Sequence, residues 1–292
     1  MKVSICIPVY NEEKNIAYLL DSLIKQELKN ESIEEIVVVS SGSKDRTESI
    51  VQEYQIKDKR ISLIKQIKRE GKASAINAFL KTIKNTNDIV IVSSGDVIFD
   101  EHTVERLCKP LLNKNVGLTS VNPVPVGSNA NLAGFLGYMH WKLHNKFKRH
   151  GEAIAFRRSL VSELAVNTAV DEAWIEAVIC NKGYETLHVD NAIVYNKGPD
   201  TVSDFLKQRR RHYAGHLDLK RRTCYDVSSS RVSMESIKIV MKEFYSHLSE
   251  LDYLSGYLFL EFYGRLLGFF DFYIKKKKPY IWDIAETTKK VR

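Results

Sequence analysis

Three stretches of this chain carry side chains whose types and spacing could do chemistry. In "IVSSGDVIFD" (91–100) an apolar run stops at two serines and a glycine, and one carboxylate, Asp96, follows at once. An acid just beyond a buried strand can hold a ligand or a cation; its plain alternative is a cap on a turn or helix. In "AVDEAWIEAV" two adjacent acids, Asp171 and Glu172, open a helical stretch. Acids there can take a proton from a substrate, or they can simply complement a helix N-terminus. In "KQRRRHYAGH" a basic run surrounds Gln208, Arg211, His212 and His216. Its plain reading is a solvated helix face, and Arg209 and Arg210 read that way. His140 and His144 also stand at i,i+4, but nothing nearby completes a zinc set, so they read as satisfied surface or interface histidines.

The first of these sites needs a strand to carry it, and the N-terminal part of the chain supplies several. "KVSICIPV", "IEEIVVVS", "RISLIKQ" and "DIVIVS" read as strands, near-continuous in Val and Ile. Between them lie the helical stretches "EEKNIAYLLDSLIKQ", "SKDRTESIVQEYQ", with Ser43 as its cap, and "KASAINAFLKTIK". Such alternation predicts an α/β fold with a doubly wound, mostly parallel sheet covered on both faces. Ligands of these sheets bind outside the carboxyl ends of the strands. The loops "PVYNEE", "SSGSKDRT" and "SSGDVIFD" belong there, and Asp96 with them. After about Asn122 the pattern breaks. Two prolines and a turn lead into an aromatic, basic helix-like stretch. A strand ("EAIAFR"), a helix ("VDEAWIEAVICNKG") and two short strands around "ETLHVD" and "AIVYN" follow. From Thr201 the chain reads as helical apart from a polar loop around "CYDVSSSR".

Composition narrows the field. With 292 residues, 44 % of them hydrophobic, the chain can bury a core without staples. Four scattered cysteines form no Cys-x-x-Cys pair, which argues against a zinc knuckle or disulfide framework and suits a reducing compartment. "MKVSICIPVY" is too short and strand-like for a signal peptide, so a cytoplasmic location is expected. The net charge of +8 suits phosphates or an anionic membrane surface. No groove-reading motif accompanies it, so no nucleic-acid partner is expected.

Taken in order, "SICIPVYNEEKNI", "VVVSSGSKDRT", "REGKASAIN", "SSGD", "DE" and "QRRRH" resemble glycosyltransferase family 2 over roughly Val3 to Tyr213. The resemblance implies a GT-A fold and an inverting, hexosyltransferase-like enzyme using a nucleoside-diphosphate sugar (UDP- or GDP-linked) and a divalent cation, Mn2+ or Mg2+. It implies a nucleotide-sugar-binding half over 1–122, an acceptor-binding half over 123–213 and a helical C-terminal extension over 214–292. Pro8, Tyr10 and Glu12 would contact the nucleoside. Ser40 and Ser41, which would lie at the nucleotide, stand where the family has two acids, and Ser94 replaces the first acid of the family's Asp-x-Asp element, which "SSGD" occupies. Gly71, Lys72, Ser94 and Gly95 would lie near the nucleotide, and Asp96 would hold the metal with the donor's phosphates. By the family's spacing, counting back from Gly183, the base is Glu172, with Asp171 orienting it or the acceptor. Gln208 and Arg211 match a Gln-x-x-Arg-Trp element, with His212 in place of Trp; Arg211 would hold phosphate, and His212 or His216 could add a nitrogen to the metal. "GEAIAFRRS" resembles a segment lining the sugar site. Two other readings are a sugar nucleotidyltransferase and a degenerate nucleotide-sugar-binding scaffold that has lost acids at the three serines.

The tail "YLSGYLFLEFYGRLLGFFDFYIKKKK" is long enough to suggest a membrane span, but Glu261, Arg265 and Asp271 interrupt it. Tyr257, Glu261, Gly264, Arg265 and Gly268 share one helical face, and Glu261 can pair with Arg265. Packing, on the catalytic domain or on another subunit, is the favoured reading. Peripheral contact of residues 253–278 with the inner face of a membrane is the other, and it would suit a lipid-linked hydroxyl acceptor.

Overall fold

A computed structural model describes residues 1–83, 88–127, 131–227, 234–246 and 251–276. Eight strands form one sheet: β1 (Lys2–Val9), β2 (Ser32–Ser41), β3 (Ile61–Gln66), β4 (Ile89–Ser93), β5 (Val97–Phe99), β6 (Val116–Val126), β7 (Ala153–Arg157) and β8 (Glu185–Lys197). Their order is β3-β2-β1-β4-β7-β6-β8-β5. The β3–β2, β2–β1, β1–β4 and β6–β8 pairs are parallel; β4–β7, β7–β6 and β8–β5 are antiparallel.

The Val/Ile runs are buried on both sides because helices cover both faces. On one face Ile5, Ile7, Val38 and Ile91 pack with Leu19, Leu20 and Leu23 of α1 (Ile16–Ile24) and Val51 of α2 (Thr47–Lys57). On the other, Val37, Val39, Val90 and Val92 pack with Ile76, Phe79 and Leu80 of α3 (Lys72–Thr82). Each of these large aliphatic or aromatic side chains contributes about 1.5–3 kcal/mol when fully buried. Ser43 does not cap α2. Its hydroxyl accepts from the Asn11 N–H, while Asp45 accepts from the N–H and the hydroxyl of Thr47 and starts the helix.

Four elements depart from the sequence reading. The two short strands around "ETLHVD" and "AIVYN" are one continuous β8. β6 was hidden by Pro123 and Pro125. Its proline end pairs with β8, and its bonds to β7 stop at Ser120, so the missing donors fall on an open side. β5 and α4 (Thr103–Cys108) were too short to show a period.

The second half adds α5 (Leu132–Lys146), α6 (Asp171–Asn181), α7 (Val202–Thr223), α8 (Met234–Ser246) and α9 (Leu251–Tyr273). Thr201 caps α7 by accepting from the Asp204 N–H. Phe135, Leu136 and Met139 of α5, Phe205 of α7, and Leu254 and Tyr257 of α9 make a third core. α9 lies against α7 through glycines. A Cβ on Gly264 would stand 2.6 Å from Arg209 Cβ, and one on Gly268 2.6 Å from the Arg210 carbonyl oxygen. Among the described residues no helix is long and apolar enough to cross a membrane. Of the polar loop "CYDVSSSR", residues 228–231 lie outside the described residues, as do 277–292 of the tail.

Candidate active site

The carboxyl ends of β1, β2 and β4 meet α5, α6, α7 and α9 around a cavity of about 360 Å³. Pro8, Tyr10, Glu12, Ser41, Gly71, Lys72, Ser94, Gly95, Asp96, Asp171, Glu172, Gln208, Arg211, His212 and His216 all line it. Ser40 is not among these. It is fully buried, and its hydroxyl donates to Glu48 at 2.7 Å.

The first two loops are latched to each other. Thr47 Oγ1 accepts from the Glu12 N–H, Asp45 accepts from the Glu13 N–H, and Asn11 Oδ1 accepts from the Lys44 N–H. This leaves Tyr10 at the cavity with Arg69 above its ring, 4.4 Å from the centroid. Ser41 accepts from the Glu70 N–H at 3.0 Å and so positions the third loop. Gly71 then opens α3 at φ +90°, a conformation a side chain would resist. That turn delivers Lys72 into the cavity. Its ammonium lies 3.1 Å from Asp171 and bonds directly to Glu172. Burial works against the Lys72 charge, and the two carboxylates reverse it, raising its pKa. Burial and the neighbouring Glu172 push Asp171 up to about 6. Burial would also raise Glu172, but Lys72 outweighs it and holds Glu172 below the usual range.

Asp96 sits at the turn between β4 and β5, half-buried, and caps no described helix. It faces a carboxylate that sequence reasoning passed over. Glu152 holds a left-handed backbone (φ +61°) just before β7, and its carbonyl accepts from the Ser94 N–H at 2.7 Å. Burial, and then the Asp96 charge, push Glu152 up to about 8. Two hard oxygen donors that repel each other fit a divalent cation. Among the described residues no three His, Cys, Asp or Glu side chains gather as a metal-ligand group, so neither His212 nor His216 joins Asp96 in such a set. His212 Nε2 instead faces Arg211 Nη2 at 2.8 Å, and His216 sits among Arg149, Arg209 and Arg265.

The basic run is no solvated face. Arg209 is buried, with Nη1 3.0 Å from His140 Nδ1. Arg210 forms an ion pair with Asp271 of α9. His140 and His144 are likewise buried cavity residues, held neutral first by burial and then by neighbouring arginines. On α9 the expected face turns inward. Tyr257, Gly264 and Gly268 are buried, while Glu261 and Arg265 reach the cavity, paired at 2.8 Å. The packing reading therefore holds for that face, and the opposite one is exposed. Arg149, Trp141 and Glu176 also line the cavity and were not singled out in the sequence, because each comes from a helix or turn remote from the strand-end loops; Glu261 was read there only as a partner for Arg265.

Comparison with known proteins agrees with this architecture. The profile of "Glycosyl transferase family 2" matches residues 4–164, and that of "Glycosyl transferase family group 2" matches 123–266. Dolichyl-phosphate beta-glucosyltransferase ALG5C of Trichomonas vaginalis is 33 % identical over 135 residues, covering 44 % of this chain and 38 % of that protein. The match thus spans under two thirds of that relative's length. The structure of mannosyltransferase PcManGT from Pyrobaculum calidifontis, in complex with GDP-Man and Mn2+, superposes with a TM-score of 0.61 at 21 % identity, covering 95 % of this chain and 81 % of that one. S. aureus TarS 1-349 in complex with UDP-GlcNAc gives 0.56 at 17 % identity, covering 96 % and 78 %. The fold is therefore GT-A, and with more than half of its length matched by the family profile, the chain belongs to glycosyltransferase family 2.

Proposed function

We propose that this protein transfers a sugar from a UDP- or GDP-sugar to an acceptor hydroxyl, with inversion at the anomeric carbon. The observation that carries this reading is the convergence of three strand-end loops, the Asp171–Glu172 pair and Arg211 on one cavity. Residues 1–122 form the nucleotide-sugar-binding half, 123–213 the acceptor-binding half, which also lends Glu152, Gln208 and Arg211 to the donor, and 214–292 the C-terminal extension. Pro8, Tyr10, Glu12 and Arg69 surround the nucleoside; Gly71, Lys72, Ser94, Gly95, Gln208 and Arg211 surround the phosphates. Asp96, with Glu152, would hold Mn2+ or Mg2+, which when bound stabilises the charge on the departing diphosphate.

Glu172 is the base. Its side chain is 18 % exposed to the cavity against 3 % for Asp171, so an acceptor hydroxyl reaches it first. Glu172 takes the hydroxyl proton, the oxygen attacks the anomeric carbon from the face opposite the diphosphate, and the carbon–oxygen bond to the diphosphate breaks with its electron pair going to phosphate. Lys72 links the two substrates. A bound diphosphate competes for its ammonium, and each step Lys72 takes toward phosphate strengthens Glu172 as a base.

Two observations favour an acceptor met at an anionic membrane surface. The outer face of α9 exposes Phe259 (65 %), Phe262 (66 %) and Tyr273 (55 %), and Lys275 and Lys276 follow it. The relative named above is a dolichyl-phosphate enzyme.

The donor is tested by thermal shift with UDP, GDP, dTDP and CMP and their sugars, with and without Mn2+ or Mg2+. One nucleoside diphosphate should stabilise the chain in a metal-dependent way, by about 2.7 kcal/mol at ~100 times its Kd. Asp96→Ala should abolish the metal dependence. Stabilisation by none of them would overturn the transferase reading.

A further inference from the structure

The cavity is electrically divided. The carboxylates described above gather at the donor end. At the other end three guanidinium groups, Arg149 beyond α5, Arg209 on α7 and Arg265 on α9, converge on the carboxylate of Glu261. Burial would raise the Glu261 pKa, yet Arg209, Arg265 and Arg149 together keep it below the usual range. The histidines between them add no compensating negative charge. Three guanidinium groups sharing one carboxylate make this part of the cavity positive and poorly solvated, a setting that favours an anionic ligand. A phosphate monoester carries about −1.5 to −2 near neutral pH and suits a wall of several guanidinium groups.

The hydrogen-bonding groups agree with the charge. Trp141 Nε1 and Arg209 Nε are donors only, both side chains are more than nine-tenths buried, and neither atom has a hydrogen-bond partner among the described residues. His216 Nδ1, on a half-buried ring, also has no hydrogen-bond partner among the described residues. Donors left without acceptors in a buried wall are costly unless a ligand supplies the acceptors. Phosphate oxygens do so, and paired N–H groups of arginine match their geometry. Among the described residues no three His, Cys, Asp or Glu side chains gather there as a metal-ligand group.

Building on the transferase reading, we propose that the end of the cavity formed by Arg149, Arg209, Arg265 and Trp141 binds a phosphate ester carried by the acceptor. The phosphate serves as a handle, at the opposite end of the cavity from the carboxylates that serve the donor and the attacking hydroxyl. The same chemistry is offered by a water-soluble sugar phosphate and by a phosphorylated lipid.

The test uses the full chain with its donor site saturated by Mg2+ and whichever nucleoside diphosphate stabilises it. Calorimetric titrations follow with inorganic phosphate, farnesyl phosphate and farnesol. Binding of the phosphate probes is expected, weakened at least about tenfold in Arg149→Gln and Arg265→Gln with nucleotide affinity retained. Glu261→Gln removes the internal competitor and should tighten phosphate binding, a gain that a misfolded variant cannot imitate. Farnesyl phosphate binding far tighter than both inorganic phosphate and farnesol assigns the handle to a lipid. Equal binding of farnesyl phosphate and inorganic phosphate assigns it to a soluble ester. Failure of both phosphate probes to bind the nucleotide-loaded chain, farnesol binding as well as farnesyl phosphate, or indifference to all three substitutions would overturn the proposal while leaving the transferase reading intact. Absence of nucleotide binding would remove both.

Discussion

At the residue scale the proposed base Glu172 and its ion-pair partner Lys72 form one unit, and turnover is expected to depend on it. Glu172→Gln keeps size and hydrogen bonding and removes the base, so turnover should fall by about 10²–10⁴-fold while nucleotide affinity is retained. Normal turnover in that variant would reassign the base. Lys72→Met should slow the enzyme and change its pH profile. The sign follows from the geometry: the Lys72 charge holds Glu172 below the usual carboxylate range, so its removal raises that pKa. Activity requires the ionised carboxylate and is lost as pH falls through its pKa. The acid limb should therefore move to higher pH in Lys72→Met, and an unmoved limb would show that Lys72 does not act on the base. Both residues were legible in the sequence, since "EGKASAIN" and "VDEAW" are continuous strings. Their ion pair was not, because it joins positions 100 residues apart.

At the scale of elements, α7 and α9 work as one unit. Gly264 and Gly268 let the two helices touch, and Arg210 pairs with Asp271 beside them. Gly268→Val would drive a side chain into the Arg210 carbonyl and the Tyr213 Cβ. It should lower stability by about 1–3 kcal/mol, read as an earlier denaturation midpoint. An unchanged midpoint would mean that α9 does not rest on α7. The sequence showed a glycine-bearing face on α9 and could not say what it met. β6 shows the opposite failure: two prolines argued against a strand, and only the open side of its pairing with β8 reconciles them.

For the whole molecule, the exposed aromatic side of α9 predicts binding to vesicles containing anionic lipid, weakened by salt. Replacing Phe259 and Phe262 together with serine should lower partitioning at least about tenfold, with nucleotide binding retained. Sedimentation of the chain equally with neutral and anionic vesicles, or with neither, would count against a membrane-presented acceptor.

The sequence by itself determined the covered parallel core, since Val/Ile runs alternating with amphipathic stretches have few other ways to bury themselves. It also determined which loops lie at the carboxyl ends of the strands, and Asp96 with them, while the family resemblance pointed to Lys72 and the Asp171–Glu172 pair. These are local properties: a periodicity, a glycine turn, a string of neighbours. Tertiary structure alone decided that Glu152 faces Asp96, that Ser40 turns away toward Glu48, and that Arg149, Arg209 and Arg265 meet from the turn after α5 and from two helices. Those outcomes depend on how distant segments pack. An arginine reads the same in sequence whether water or a buried wall surrounds it.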